Sequence, residues 1–150
     1  MMLSERIEAD YLVAYKSKDA LRVGVLRLLK TAAKNLQVEL MRPITDEELI
    51  TVVQKQAKQR QDSIEQFSAA GRDELARKEA DELRVLQEYL PRPLSPEELA
   101  AAVDTAIEAT GTTDMSGMGK VIQAVLAEYR GRADGKLVSE AVRRRLQAGK

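Results

Sequence analysis

The residues best suited to chemistry in this chain are basic side chains near its end. From Lys120 to Lys150 there are eight basic and three acidic residues, whereas 93–119 contains five acidic residues and no basic one. The whole chain carries no net charge, with 24 basic and 24 acidic side chains. A local excess of positive charge indicates contact with an anionic partner, although it does not specify which one.

Two glycine-containing loops place some of these cations beside predicted helix starts. The loop at 115–120 (MSGMGK) ends in Lys120, and the loop at 130–136 (RGRADGK) contains Arg130, Arg132 and Lys136. Backbone N–H groups at a helix start, together with guanidinium or ammonium groups, can hold a phosphate. The alternatives are inward-packing methionines in the first loop and, in the second, a C-cap glycine, an aspartate N-cap and solvated charges.

Three consecutive arginines, 143–145, lie in the last predicted helix. Three successive residues cannot share one narrow helix face, so at least one should reach solvent near Arg130 or Lys136. Basic residues in a last turn also complement the helix dipole, which is the alternative explanation. The predicted nucleic-acid-binding residues are Lys120, Arg130, Arg132, Lys136, Arg143 and Arg144.

Most enzyme chemistry lacks its usual residues here. The chain has no cysteine and no histidine, which excludes thiol nucleophiles, imidazole bases and structural zinc sites. Acidic pairs such as Glu97–Glu98 are typical of helix first turns, and no serine has a histidine or a Ser-x-x-Lys motif to activate it. We therefore predict no catalytic residue, no metal site and no cofactor.

The elements that position these residues are predicted to be helices around an aliphatic core. Aromatic residues make up only 3% of the chain, and no internal repeat or low-complexity segment is recognised. Caps, glycines and prolines delimit seven helices. They run from about Ser4 to Ser17, from Asp19 to the break at Pro43, from a Thr45/Glu48 capping box to Gly71, from Asp73 to Pro91, from Ser95 to Gly111, from Met115 or Met118 to Gly131, and from Asp134 onward.

The predicted fold class is all-α, with a four-helix N-terminal domain followed by a small three-helix C-terminal domain. Pro91-Arg92-Pro93 is the predicted linker, because two prolines in three residues favour extended backbone. The domains are therefore 1–92 and 93–150. The second has fewer than 60 residues, so its own core must be small.

The start of the chain predicts the compartment. Its first ten residues already carry four charges and do not resemble a signal peptide, and no stretch approaches the roughly 20 apolar residues of a membrane helix. The expectation is a cytoplasmic protein without a membrane partner.

Several segments together resemble the YqeY family. They are EYLPRPLSPEEL (88–99), MGKVIQAV (118–125), GRADGKLV (131–138) and KQRQDSIEQF (58–67) with the Ala-Gly-Arg after it. The resemblance covers essentially the whole chain in order. The family is similar to the C-terminal tail of the B subunit of the glutamine-dependent aminoacyl-tRNA amidotransferase, an all-helical attachment that contacts tRNA.

The resemblance implies a tRNA-binding or RNA-binding accessory protein that is catalytically silent alone. The positions of this chain that match and could touch a phosphate are Lys120, Arg130, Arg132 and Lys136. The low aromatic content argues against stacking on single strands, so we expect recognition of folded RNA through its phosphates.

Two alternatives remain at the sequence level. The small second domain could leave apolar surface for docking on an aminoacyl-tRNA synthetase or amidotransferase. The resemblance also invites the label of a carbon–nitrogen ligase with glutamine as amido donor, although no acid, base or nucleophile in the chain supports that chemistry.

Overall fold

The computed structural model describes residues 2–149, and this part of the chain is all helical, which confirms the predicted fold class. The helices are α1 (Leu3–Lys16), α2 (Ala20–Leu40), α3 (Asp46–Ala69), α4 (Asp73–Gln87), α5 (Pro96–Thr110), α6 (Met118–Glu128) and α7 (Gly135–Ala148). A single 3-10 turn, Met115–Gly117, precedes α6. No helix among the described residues is long and apolar enough to cross a bilayer.

The chain forms two compact units, which divide between Leu90 and Pro91. The N-terminal unit contains α1–α4, and the C-terminal unit contains α5–α7. Each unit has its own hydrophobic core.

The N-terminal core is built mainly from aliphatic side chains on one face of each helix. Leu26, Leu29, Val53 and Leu86 are completely buried there, and Tyr89 is the buried aromatic residue. Helices α3 and α4 pack against each other along their length as a hairpin, turned by Gly71 with a positive φ of 72°. Glycine adopts this left-handed conformation without the steric cost that a side chain would add.

The C-terminal core is smaller and is made almost entirely of valine and alanine. Val121 and Val125 of α6 are buried against Val138 and Val142 of α7, with Val103 contributed by α5. These buried positions recur at intervals of four residues, so they lie on one side of each helix. The opposite sides of α6 and α7 carry mostly polar residues, with Leu137 exposed among them.

Most of the predicted helix starts are confirmed. Asp19 and Asp134 accept backbone N–H bonds at the starts of α2 and α7, and Thr45 and Ser95 form capping boxes at α3 and α5. The predicted Ser4 cap is wrong.

Helix α1 instead begins at Leu3, with Met2 as the N-cap, and no side chain caps it locally. The Leu3 N–H donates to Asp46 Oδ1 in α3 at 3.2 Å. A tertiary partner therefore satisfies one N–H group that a local cap would otherwise take, and sequence patterns alone do not reveal such a partner.

The structure corrects the conclusion that the chain lacks a repeat. The segments 42–49 (RPITDEEL) and 92–99 (RPLSPEEL) are identical at five of eight positions. In both, the arginine makes two hydrogen bonds to the second glutamate: Arg42 to Glu48 at 2.8 and 3.0 Å, and Arg92 to Glu98 at 3.1 and 3.2 Å. The same glutamate completes the capping box, so the repeat is a helix-start device used once in each unit.

Candidate nucleic-acid interface

Helix α7 presents basic side chains on the side that faces away from its core. Lys136, Arg143 and Arg144 are exposed, whereas Val138 and Val142 are buried. At about 100° per residue, the three cations lie within one broad face opposite the valines. Among residues 2–149, none of the three makes a salt bridge. These side chains, which we call the α7 basic face, are available for an anion.

The third arginine of the run has a different role. Arg145 Nε donates to Asp104 Oδ1 of α5 at 2.7 Å and so ties α7 to α5. This confirms that the three arginines do not share one face. Glu140 is exposed between Lys136 and Arg143 along α7, so the basic face is not uniformly positive.

Lys120 lies on another helix. It is exposed in the first turn of α6 and makes no salt bridge within the described chain. The predicted cations are therefore distributed over α6, α7 and the turn between them, and α7 contributes three of the six.

The loop before α6 is explained by packing. A Cβ placed on Gly117 would lie 2.5 Å from Thr112 Cγ2, so the glycine is needed for close approach of the chain. Met115 and Met118 pack against the C-terminal core. The Asp114 side chain accepts the Ser116 N–H at 3.0 Å and caps the 3-10 turn.

Arg132 is largely engaged within the C-terminal unit. Its Nε donates to the Arg92 carbonyl at 2.9 Å, and its Nη2 lies 3.4 Å from Glu98 Oε2. Its own carbonyl accepts the Leu94 N–H at 2.9 Å. Arg132 thus fastens the first residues of the unit to the α6–α7 turn, a role that local sequence did not indicate.

The rest of that turn is arranged around Gly131, which is buried and has a φ of 83°. Arg130 is exposed, and it also interacts within the chain. Asp134 then accepts the Lys136 N–H at 2.9 Å and starts α7. The predicted aspartate cap and the glycine turn are both present, and Lys136 projects into solvent from the first turn of the helix.

Glu98 is stabilised in its ionised form by its neighbours. The hydrogen bonds from Arg92, followed by the one from the Ser95 backbone N–H, lower the pKa of Glu98 from 4.5 to about 2. Arg132 adds a second guanidinium beside the same carboxylate. Glu98 therefore stays ionised and holds two arginines that would otherwise be free to bind an external anion.

A polar cluster in the N-terminal unit was also missed by sequence reasoning. The Tyr89 hydroxyl donates to Asp10 Oδ2 at 2.6 Å, and burial, followed by this bond, raises the pKa of Tyr89. Arg6 lies 4.7 Å from the Tyr89 ring centroid and donates to the Glu88 carbonyl, while Arg22 forms two hydrogen bonds with the Glu88 carboxylate. These groups satisfy one another and join α1 and α2 to the end of α4.

No group of three or more acidic side chains that could hold a metal ion occurs within residues 2–149. The cations on α6 and α7 form an exposed basic surface on a small all-helical protein. Comparison with known sequences gives the particular family. The YqeY family, described as Yqey-like protein, matches residues 4–146, and the chain belongs to this family.

Curated relatives carry the name Altered inheritance of mitochondria protein 41, mitochondrial. The relative from Pyrenophora tritici-repentis is 31% identical over 141 residues, which cover 91% of this chain and 77% of that protein. The one from Saccharomyces cerevisiae strain YJM789 is 32% identical over 93 residues, or 61% of this chain, and the one from Candida glabrata is 33% identical over 86 residues. The matches to these two span about half of the relatives' length.

The expected cytoplasmic location is contradicted by this comparison, since the relatives are named as mitochondrial proteins. That expectation rested only on the four charges in the first ten residues and on the lack of an apolar stretch of membrane length. Neither feature distinguishes the cytoplasm from the interior of an organelle.

Proposed function

We propose that this chain is a non-catalytic accessory protein that binds tRNA or another structured RNA through the α7 basic face. The observation that carries the proposal is the exposure of Lys136, Arg143 and Arg144 without salt-bridge partners among the described residues. The resemblance to the tail of the tRNA-dependent amidotransferase B subunit supports the choice of RNA as the anion. Lys120 and Arg130 would extend the contact.

The chemistry of the face favours contact with phosphates over reading of bases. Lysine and arginine heads on a rigid helix suit phosphate oxygens, and the phosphate contacts of nucleic acids supply affinity without sequence information. The aromatic residue of the C-terminal unit, Tyr129, is half-buried under the core and lies 5.9 Å from the Arg132 guanidinium carbon. Its ring packs against the core, so folded RNA would be recognised through its backbone.

The test measures binding of labelled total tRNA by fluorescence anisotropy at low salt. The variant carries Lys136→Gln, Arg143→Gln and Arg144→Gln, and we expect its affinity to fall by at least about tenfold because three phosphate contacts are lost. Circular dichroism checks that the variant keeps its helices.

A matched control removes the same charge from the N-terminal unit. Lys55, Lys58 and Lys78 are exposed on α3 and α4 and form no salt bridge within the described residues. Their replacement by glutamine should leave tRNA affinity within about twofold. Equal losses in both variants would mean that only net charge matters, and the assignment to α7 would be wrong.

Docking on a synthetase or amidotransferase is the other proposal that the sequence raised. It was based on the expectation that the small C-terminal unit leaves apolar surface uncovered. Among the large hydrophobic side chains described there, Leu137 alone is clearly exposed, at 54%. If wild type binds no tRNA at low salt, RNA is removed as the partner, and Leu137 becomes the starting point of a search for a protein partner.

A further inference from the structure

A second surface with nucleic-acid chemistry lies in the N-terminal unit. Tyr11 and Tyr15 of α1 have ring centroids 6.3 Å apart and planes tilted by 34°. Arg27 of α2 donates from Nη2 to the Tyr11 hydroxyl at 3.2 Å, and the Lys30 ammonium lies 4.0 Å from the Tyr11 ring centroid. We call these four residues the tyrosine cluster. It gathers two of the four tyrosines of a chain that has only one phenylalanine and no tryptophan.

Tyr15 is the open member of the cluster. It is 62% exposed, whereas Tyr11 packs partly against the core. Within the described residues the Tyr15 hydroxyl has no hydrogen-bond partner. An aromatic ring held at a fixed tilt beside a second ring and left open to solvent offers a flat surface on which another ring can stack.

The surroundings of the cluster are positive. Lys30 is neutralised by Glu8 at 2.8 Å, but Arg27 is exposed and makes no salt bridge among residues 2–149. Its bond to Tyr11 uses one nitrogen and raises the pKa of Arg27, so the guanidinium stays charged with donors to spare. Lys34, seven residues farther along α2, is exposed on the same face.

We propose that the tyrosine cluster binds a nucleotide of single-stranded nucleic acid, with a base stacked on Tyr15 and a phosphate held by Arg27. Proteins that bind single-stranded nucleic acid combine aromatic side chains, on which bases stack, with basic side chains that contact the backbone. Tyr15 beside Arg27 has this combination. Bases within a duplex have no free face, so the ligand must have unstacked bases.

The arrangement favours a nucleotide over a protein segment. A protein-docking surface would need apolar neighbours beside Tyr15. Of the exposed apolar residues on α1, Val13 lies on the far side of the helix from Tyr11 and Tyr15 and lines a different depression with Arg6 and Arg22, whereas Leu12 lies about 60° from Tyr15. The contacts that the rings make are with the cations of α2, and this charge favours a nucleotide.

The test measures binding of a fluorescein-labelled eight-nucleotide oligouridylate to the full chain by anisotropy, over a range of salt. Tyr15→Ala should weaken binding at least fivefold without changing the salt slope, because it removes a ring and no charge. Tyr15→Phe keeps the ring and should bind like wild type. Arg27→Gln should weaken binding and reduce the salt slope by about 0.7, the value for one phosphate contact on a single strand.

The Lys55→Gln, Lys58→Gln, Lys78→Gln variant described above is the charge control and should bind the oligonucleotide like wild type; the α7 variant is measured beside it. The proposal is overturned if wild type does not bind the oligonucleotide, if Tyr15→Ala binds like wild type, or if Tyr15→Phe is as weak as Tyr15→Ala. Loss of oligonucleotide binding in the α7 variant alone would assign single strands to α7. That outcome would contradict the tyrosine cluster and leave the proposed tRNA function intact.

Discussion

Two glutamates, Glu48 and Glu98, occupy equivalent places in the two units and have equivalent electrostatics. Each has a pKa lowered from 4.5 to about 2, first by the arginine six residues before it and then by the backbone N–H of its capping residue. A carboxyl whose pKa is lower in the folded than in the unfolded state contributes stability above its unfolded pKa. That contribution is lost as pH falls from about 4.5 towards 2.

This linkage predicts the pH dependence of stability. The double variant Glu48→Gln, Glu98→Gln should have a lower Tm than wild type at pH 7, and the difference should shrink as pH falls from 5 towards 2.5. Thermal unfolding followed by circular dichroism at several pH values measures it. Glu65→Gln, at an exposed position on α3 without a salt bridge in the described chain, is the control. A Tm difference independent of pH would contradict this linkage.

Arg132 is predicted to matter for stability more than its position in a glycine loop suggests. Its side chain is only 30% exposed and bonds the Arg92 carbonyl and Glu98. Arg132→Ala should therefore destabilise the protein by about 1–2 kcal/mol in urea unfolding, because a carbonyl and a carboxylate lose a donor. Arg144→Ala, which removes an exposed and unpaired arginine, should change stability by less than about 0.5 kcal/mol. A similar loss of unfolding free energy in both variants would contradict the role of Arg132 in holding the start of the C-terminal unit to the α6–α7 turn.

At the scale of single elements, two glycines behave oppositely. Gly24 lies in the second turn of α2, where an added methyl group would meet nothing within 4 Å, whereas the same methyl on Gly117 would collide with Thr112. Gly24→Ala should stabilise the protein by about 0.5–1 kcal/mol, because alanine loses less conformational freedom in a helix. Gly117→Ala should destabilise it.

Gly119 is the control for this pair, since it lies in the first turn of α6 and a methyl there meets nothing within 4 Å. Gly119→Ala should be neutral or slightly stabilising, because the alanine fits without a clash. The denaturant midpoints of unfolding give the order of stability of the three variants. Destabilisation by Gly24→Ala would show that the exposed face of α2 needs a glycine for another reason.

The helices themselves were predictable because their signals are local. Thr45 with Glu48, Ser95 with Glu98, and Gly111 at the end of α5 act within a few residues of sequence, and the structure has each of them in the predicted role. The start of α1 was not predictable, since its partner Asp46 is 43 residues away. The hydrogen bonds from Arg42 to Glu48 and from Arg92 to Glu98 were not predicted, because only the capping boxes of these segments were recognised.

At the scale of the whole molecule, tertiary contacts decide which cations of the predicted site stay exposed and which form ion pairs within the chain. Lys136, Arg143 and Arg144 stay open to solvent, whereas Arg132 turns to Glu98 and the neighbouring Arg145 turns to Asp104. The sequence indicated these cations through their charge excess, the two glycine-containing loops and the family resemblance. It could not foresee which would be used internally, because the partners lie 34 and 41 residues away.

The tyrosine cluster was also not predictable from the sequence. A low aromatic count argued against stacking, yet the fold of α1 on α2 places two of the few rings together beside Arg27. A count averages over the chain, whereas stacking depends on where the rings lie. We therefore assign phosphate contact to the C-terminal unit and base stacking to the N-terminal unit, as separate proposals.

The most direct test of the central claim is the salt dependence of tRNA binding by wild type and by the Lys136→Gln, Arg143→Gln, Arg144→Gln variant. The slope of log affinity against log salt concentration counts the phosphates that the protein neutralises. If the α7 basic face holds three phosphates, the slope of the variant should be shallower by roughly 2–3. An unchanged slope with undiminished affinity would contradict the assignment of RNA binding to α7.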